Sequence, residues 1–432
     1  MKFFSSSLLL DKNFIYRFLF RYLGIFILLF VTPFLFLQSS EDLALFLIVR
    51  SAIRIWITFL NNYTGGQNFY RSINKTIDIE VYFVGWFKNI SFLIFIFAII
   101  NIVLINVATK NISYGNIIEF FDLFFIFLWF VSSALLITFS HYFQTVKNNF
   151  ASGISQGIMG NIILLITITL FYIFYEINFT TVIFSFSISL TLSLLFNAYL
   201  FYSTLSSKSS LQNKAPIKSI FNIDYLYEGL SESSPQIVIF FIITFSSYLY
   251  DANISSIIGM TFLLFNFIYF LPFSYQLSSR TIFFNNDKSD PFFKRKHNDY
   301  RKNLIYIYLS LSFMLAIFIS TLSLDFFKTM LVDIKIDSVI LALKINLTYT
   351  VTYILVSTLC PRSILILLLY GKSKDVFKIN NFALCISFAI SLPIFILINS
   401  WFAIFIFFAI YEITKDFLVM RYLRNEVIVK LA

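Results

Sequence analysis

Twelve apolar stretches separated by short polar segments limit this chain more than any other feature. They cover residues 21–37, 43–60, 81–106, 118–142, 154–175, 180–202, 223–249, 254–279, 304–324, 340–370, 381–397 and 401–423. A helix needs about 20 mostly apolar residues to cross the hydrocarbon core of a bilayer. Hydrophobic residues make up 59% of the 432, and charged residues only 12%. Twelve such helices take about 240 apolar positions at that length, nearly all that the chain has, so little remains for a soluble core. The expected fold class is an all-α polytopic membrane protein with about twelve transmembrane helices. Soluble, fibrous and disordered classes are excluded. The abundance of Phe, at 59 residues, accompanies abundant Ile, Asn, Lys and Tyr. It reads as a coding bias toward AT-rich codons and carries no functional weight.

Loop charge sets the expected orientation. With the N-terminus in the cytoplasm, 22 of the 32 Lys and Arg fall in inner loops and tails, against Lys110, Lys328 and Lys335 outside. Cytoplasmic loops are the ones that carry such an excess, so both termini are expected there. The net charge of +10 is then mostly a topology signal and not a nucleic-acid signature. The basic run Lys294-Arg295-Lys296, with Arg301 and Lys302, suits anionic lipid headgroups. Residues 1–10 lack a small-residue cleavage site and read as a retained lead-in. The polar, Ser-rich inner linker around 203–219 divides the chain into six stretches before and six after. The expected organisation is a six-helix bundle over 1–203, a cytoplasmic linker over 204–222 and a second bundle over 223–432. Six is even, so the two bundles would run parallel through the membrane.

Ionisable residues inside apolar stretches are the informative ones, because each costs about 2.5–3.5 kcal/mol at a helix centre facing lipid. Arg50 and Arg54 are four apart in the second stretch and share a helix face. Two readings stand open for them: a functional cavity, or a structural ion pair with acids of another helix. Arg17, Arg21 and Arg280 lie at inner ends of stretches, as membrane-edge anchors or as ligands. On the seventh stretch Asp224, Glu228 and Glu232 recur every four residues. Asp224 reads as solvated near the interface, Glu228 and Glu232 as coupling groups or as partners of the arginines. Ser231, Ser233, Ser234 and Pro235 then interrupt the apolar run, and the proline is expected to kink the helix. In the tenth stretch Pro361 is expected to do the same. Glu412, Lys415 and Asp416 are expected to pair within their own helix. Gly153, Gly157 and Gly160 suit close helix packing. Cys360, Cys385, His141 and His297 are too few and too scattered for a disulfide framework or a metal cluster. The chain carries no phosphate loop, no zinc-protease motif and no outer loop large enough for sugar transfer. No catalytic residue, metal or cofactor is expected, and the chain reads as a non-enzyme.

Several places resemble the multidrug/oligosaccharidyl-lipid/polysaccharide (MOP) exporter superfamily, and within it the Wzx-type O-antigen and polysaccharide flippases. Gly65-Gly66 followed by Arg71 resembles that family's glycine-bearing turn and basic loop. The run GluGlyLeuSerGluSerSerProGln at 228–236 resembles its seventh-helix entry. Ile258-Gly259 with Pro272 resembles its Val-Gly and later proline. The turn Ser39-Ser40-Glu41-Asp42 departs from the pattern in lacking glycines. The resemblance implies a pair of six-helix bundles, open alternately to either side of the bacterial inner membrane. It implies a lipid-linked, undecaprenyl-pyrophosphate oligosaccharide as substrate, for O-antigen, capsule or exopolysaccharide synthesis, and a glycan polymerase as downstream partner. Arg17, Arg21, Arg50, Arg54 and Arg280 would then meet the anionic head, and Glu228, Glu232 and Asp224 would couple transport to an ion gradient. A drug or cation antiporter of the same fold, and less so a membrane polysaccharide polymerase or ligase, are the alternatives.

Overall fold

A computed structural model describes residues 39–63, 79–110, 112, 118–145, 159–205, 223–268, 272, 292–324, 336–359, 373–397 and 403–426. These hold eleven helices and no strand. They are α1 (Ser40–Tyr63), α2 (Ile79–Thr109), α3 (Phe120–Thr145), α4 (Met159–Phe174), α5 (Phe179–Leu205), α6 (Ile223–Leu249), α7 (Ala252–Ile268), α8 (Phe292–Leu322), α9 (Ile336–Leu359), α10 (Ser373–Leu397) and α11 (Ala403–Glu426). Each falls on one of the second to twelfth apolar stretches. The first stretch lies outside the described residues, as do Pro361, Gly65, Gly66, Arg71, Gly153 and Gly157. Six of the helices are long and apolar enough to cross a membrane by length and composition.

Short polar turns start the helices. Ser39 Oγ accepts the Asp42 amide at 3.2 Å and caps α1, with Glu41 and Asp42 in the first turn where the helix dipole favours acids. Asn178 and Thr181 form a reciprocal cap at the start of α5, each side chain accepting the other's amide at 2.9 Å. The Asp42 carboxylate lies within electrostatic reach of the Phe179 amide, beside that same end. Within the helices, hydroxyls fold back onto the preceding turn. Ser51 donates to the Ile48 carbonyl at 2.8 Å, Thr138 to Ala134 at 3.0 Å, Ser246 to Ile243 at 2.7 Å. An apolar bundle accommodates many buried Ser and Thr this way, because each polar hydrogen finds a backbone oxygen locally.

Packing divides the described helices into two units, which meet in sequence at Gly259/Met260. The first contains α1 to α6 and the opening turns of α7. Its centre is α1, which packs on α2, α3, α5 and, along much of its length, α6. Leu43 to Val49 are almost fully enclosed. Phe46 stacks on Trp129 at 5.8 Å, and Trp129 on Phe186 at 4.6 Å. A second aromatic cluster joins α2, α3 and α5 through Phe83, Tyr142 and Phe201, with centroids 4.6–5.1 Å apart. Outward faces are apolar, as a bilayer requires: on α2, Phe92 is 69% and Val107 67% exposed. The second unit pairs α8 with α9 and α10 with α11, and α9 also packs on α11. α6 belongs to the first unit because it packs on α1.

Gly160 carries the close packing expected of its motif. A Cβ there would stand 3.1 Å from Ser193 Oγ and 3.7 Å from Leu190, so α4 lies tight against α5.

Candidate functional site

Burial changes sharply along α1. From Asp42 to Val49 every side chain is buried, whereas Arg50, Arg54, Trp56, Ile57, Thr58, Asn61 and Asn62 are all partly exposed. Arg50 and Arg54 are one turn apart, and Ile57 and Asn61 continue their face by helical spacing. Phe59, nine residues after Arg50, is half a turn round the helix from it. It meets Phe97 of α2 edge-on at 5.4 Å, while Trp56 stacks on Phe97 at 4.7 Å. These rings fix the rotation of α1, and with it the direction of the arginine face.

Neither arginine has a carboxylate within ion-pair distance among the described residues, where the ion pair recorded is Lys415–Glu412. Arg54 Nε is buried and has no hydrogen-bond partner among the described residues. A buried guanidinium nitrogen left unsatisfied costs on the order of 1–3 kcal/mol, more for a charged group. The site thus holds two adjacent cationic forks, shaped for phosphate or carboxylate oxygens.

The acids lie on α6. Glu228 is buried at 7% exposure, and among the described residues no ion pair joins it to either arginine. Asp224 and Glu232 belong to the same helix, but their side chains lie outside the described residues. So do Arg17, Arg21 and Arg280 entirely. Pro235 lies inside α6, which runs from Ile223 to Leu249. The Ser233 and Ser234 hydroxyls both donate to the Leu230 carbonyl, at 3.3 and 2.6 Å. They supply hydrogen bonds in the turn where proline disturbs the backbone ladder.

Glycines let α1 and its neighbours approach. A Cβ on Gly229 of α6 would stand 2.8 and 2.9 Å from the Phe59 ring and 3.2 Å from the Phe59 carbonyl oxygen. One on Gly259 of α7 would stand 2.6–3.1 Å from three atoms of Leu47. At the Ser40 end the contacts become polar. Ser40 Oγ donates to Asn253 Oδ1 at 2.7 Å, and Ser256 Oγ donates to the Ser40 carbonyl at 2.7 Å. Tyr248 of α6 reaches the Ala108 carbonyl of α2 at 2.7 Å. None of this hydrogen-bonded closure was read from the sequence. Its one available signal was the serine turn at 39–42 standing where the resembling family has glycines.

A cross-link tests the closure. In a variant with Cys360 and Cys385 replaced by serine, Ser40→Cys with Asn253→Cys should join under a short thiol cross-linker and be released by reductant. Separation of α1 and α7 at that end would be refuted as a transport step if the cross-linked protein retained full transport.

No protein-family model matches the chain, and no curated protein does. Solved structures match over nearly all of it. An outward-facing multidrug resistance MATE family transporter of the MOP superfamily is similar across 98% of this chain and 97% of its own, with TM-score 0.64 and 11% identity. The inward-facing conformation of a MATE family transporter of that superfamily matches across 97% and 99%, with TM-score 0.63 and 11% identity. A MOP superfamily transporter from Pyrococcus furiosus, whose reversed binding-pocket polarity suggests a different function, matches across 97% and 96%, with TM-score 0.66 and 9% identity. The chain has the fold of MATE-like MOP superfamily transporters, a polytopic helical membrane fold.

Proposed function

We propose that this chain is a flippase that carries a lipid-linked oligosaccharide, held through an undecaprenyl-pyrophosphate head, across the bacterial inner membrane by alternating access. The observation that carries the reading is the arginine face of α1, Arg50 and Arg54, which has no carboxylate partner among the described residues and lies on the central helix of the first unit. Planar guanidinium forks bind pyrophosphate oxygens bidentately, and low-dielectric walls strengthen that attraction. For the Pyrococcus furiosus neighbour, a reversed polarity of the binding pocket suggests a different function.

In this reading both termini are cytoplasmic, from the 22 to 3 split of loop Lys and Arg. The hydrogen-bonded Ser40 end of α1 then faces outward and is closed, and the partly exposed arginine half faces the cytoplasm. The head group enters from the cytoplasmic side while its acyl chain stays in lipid. Arg17, Arg21 and Arg280 extend the cationic path. The 1–203 and 223–432 bundles rock about the 204–222 linker, and a glycan polymerase takes up the product.

The test is Arg50→Ala/Arg54→Ala in cells that depend on this protein for surface glycan. Surface glycan should be lost at normal protein level, with lipid-linked units accumulating on the cytoplasmic side. Normal glycan would overturn the reading.

A second reading, a drug or cation antiporter of the same fold, is favoured by the acids of α6, with Glu228 buried in it. It predicts that Arg50→Ala/Arg54→Ala leaves efflux of a cationic dye intact while Glu228→Gln abolishes it. Coupling through the same helix has its own check. Glu232→Gln should flatten the pH dependence of transport, since the amide takes up no proton in this range, and an unaltered profile removes Glu232 from the coupling path.

A further inference from the structure

The middle of α11 holds charges that the arginine site does not use. Glu412 and Asp416 stand one helical turn apart, and Lys415 lies between them in sequence. Glu412 is buried at 6% exposure. Lys415 Nζ pairs with Glu412 Oε2 and sits 5.0 Å from the centroid of the Tyr411 ring. From α9, the Tyr349 hydroxyl donates to Glu412 Oε1 at 2.9 Å. Asp416 is within electrostatic reach of Lys415, of Glu412 and of Arg301 on α8. On α10, which also packs here, Asp375 accepts from the Tyr422 hydroxyl at 2.7 Å, and Lys378 is exposed.

The sequence leads one to expect pairing within the helix, and the Lys415–Glu412 contact meets that expectation. The cross-helix part is new. A buried carboxylate that accepts from a phenol, with a half-buried second carboxylate one turn on, resembles the oxygen groups that hold a hard cation. Here a tethered ammonium already occupies the cation's place. We propose that Lys415 is a built-in counter-cation, which neutralises the Glu412–Asp416 pair and keeps α11 closed on α9 without an ion from solution. Removing the ammonium should therefore create a need for an external cation, Na+ or a proton. This inference concerns the second unit and stands apart from the substrate reading, since its test follows stability and not transport.

The experiment uses the full chain in detergent and compares thermal unfolding in NaCl with choline chloride at equal ionic strength, near neutral and at mildly acidic pH. In choline near neutrality, Lys415→Met should lower Tm by roughly 5 °C or more, since a buried carboxylate loses its partner. Na+ or acid should restore part of that loss, beyond any shift of the wild type. Lys415→Arg should stay near wild type, and Lys415→Met/Glu412→Gln should regain stability without Na+. The proposal is overturned if Lys415→Met unfolds like wild type in choline. It is equally overturned if its loss responds to none of Na+, acid and Glu412→Gln. Should Lys415→Met give no folded protein, the double variant decides: a folded double variant supports the proposal, and an unfolded one overturns it.

Discussion

Arg50→Ala/Arg54→Ala should cut transport of the lipid-linked head by about 100-fold or more without destabilising the protein. A charge-assisted hydrogen bond is worth about 1.5–3 kcal/mol, and each 1.4 kcal/mol is about tenfold in binding. Two forks therefore account for at least two decades. Lysines at the same positions keep the charge but lose the bidentate geometry, so Arg50→Lys/Arg54→Lys should fall between wild type and the alanine variant. Stability separates this from the ion-pair reading. Among the described residues neither arginine has a carboxylate partner, and Arg54 Nε has no hydrogen-bond partner. Truncation then removes a burial cost, and Tm should hold or rise. A structural pair would behave oppositely, since breaking one costs about 3–5 kcal/mol. Surface glycan measured beside a Tm in detergent distinguishes the two, and a large drop in Tm would return the arginines to a structural role.

Gly229→Leu and Gly259→Leu should each impair folding and transport together. At Gly229 even the first added carbon would stand 2.8 Å from the Phe59 ring, with the Phe59 carbonyl oxygen at 3.2 Å. At Gly259 it would stand 2.6–3.1 Å from Leu47, including the Leu47 Cβ at 2.9 Å. A ring can tilt, but a backbone oxygen or a Cβ moves only with its helix. Overpacking of this kind costs typically about 1–3 kcal/mol, and sometimes more, so Tm should fall by several degrees. Gly229→Leu combined with Phe59→Ala should recover part of the loss, and two residues in contact should show that non-additivity. Additive losses would mean that Phe59 is not what the leucine meets. The two glycines also bear on mechanism. They set how closely α6 and α7 lie against α1, so a change there alters the setting of the arginine face without touching an arginine.

Much of this architecture is local and therefore legible. A bilayer leaves a backbone segment few options besides a helix, so every apolar stretch from the second to the twelfth is matched by one. The seventh agrees at both ends, 223 and 249. Helical spacing also placed Arg50 beside Arg54 and Lys415 beside Glu412. What could not be read is which faces meet. Ser40 and Asn253 are 213 residues apart in sequence, yet within hydrogen-bond distance. Tyr349 reaches Glu412 across 63 residues. The packing of α6 along α1 was not legible either. Pro235 interrupts the apolar run in the sequence yet lies inside a continuous α6. The physical reason is common to all of these. Helix formation follows from nearest-neighbour hydrogen bonds and hydropathy, whereas apolar side chains gain little by leaving lipid for one another, so helix pairing rests on shape, small residues and scattered polar contacts. The sequence by itself determined the number and kind of helices and the presence of buried charge. Only the tertiary structure decided that the arginines stand without a carboxylate partner among the described residues and that a tyrosine from α9 donates to Glu412.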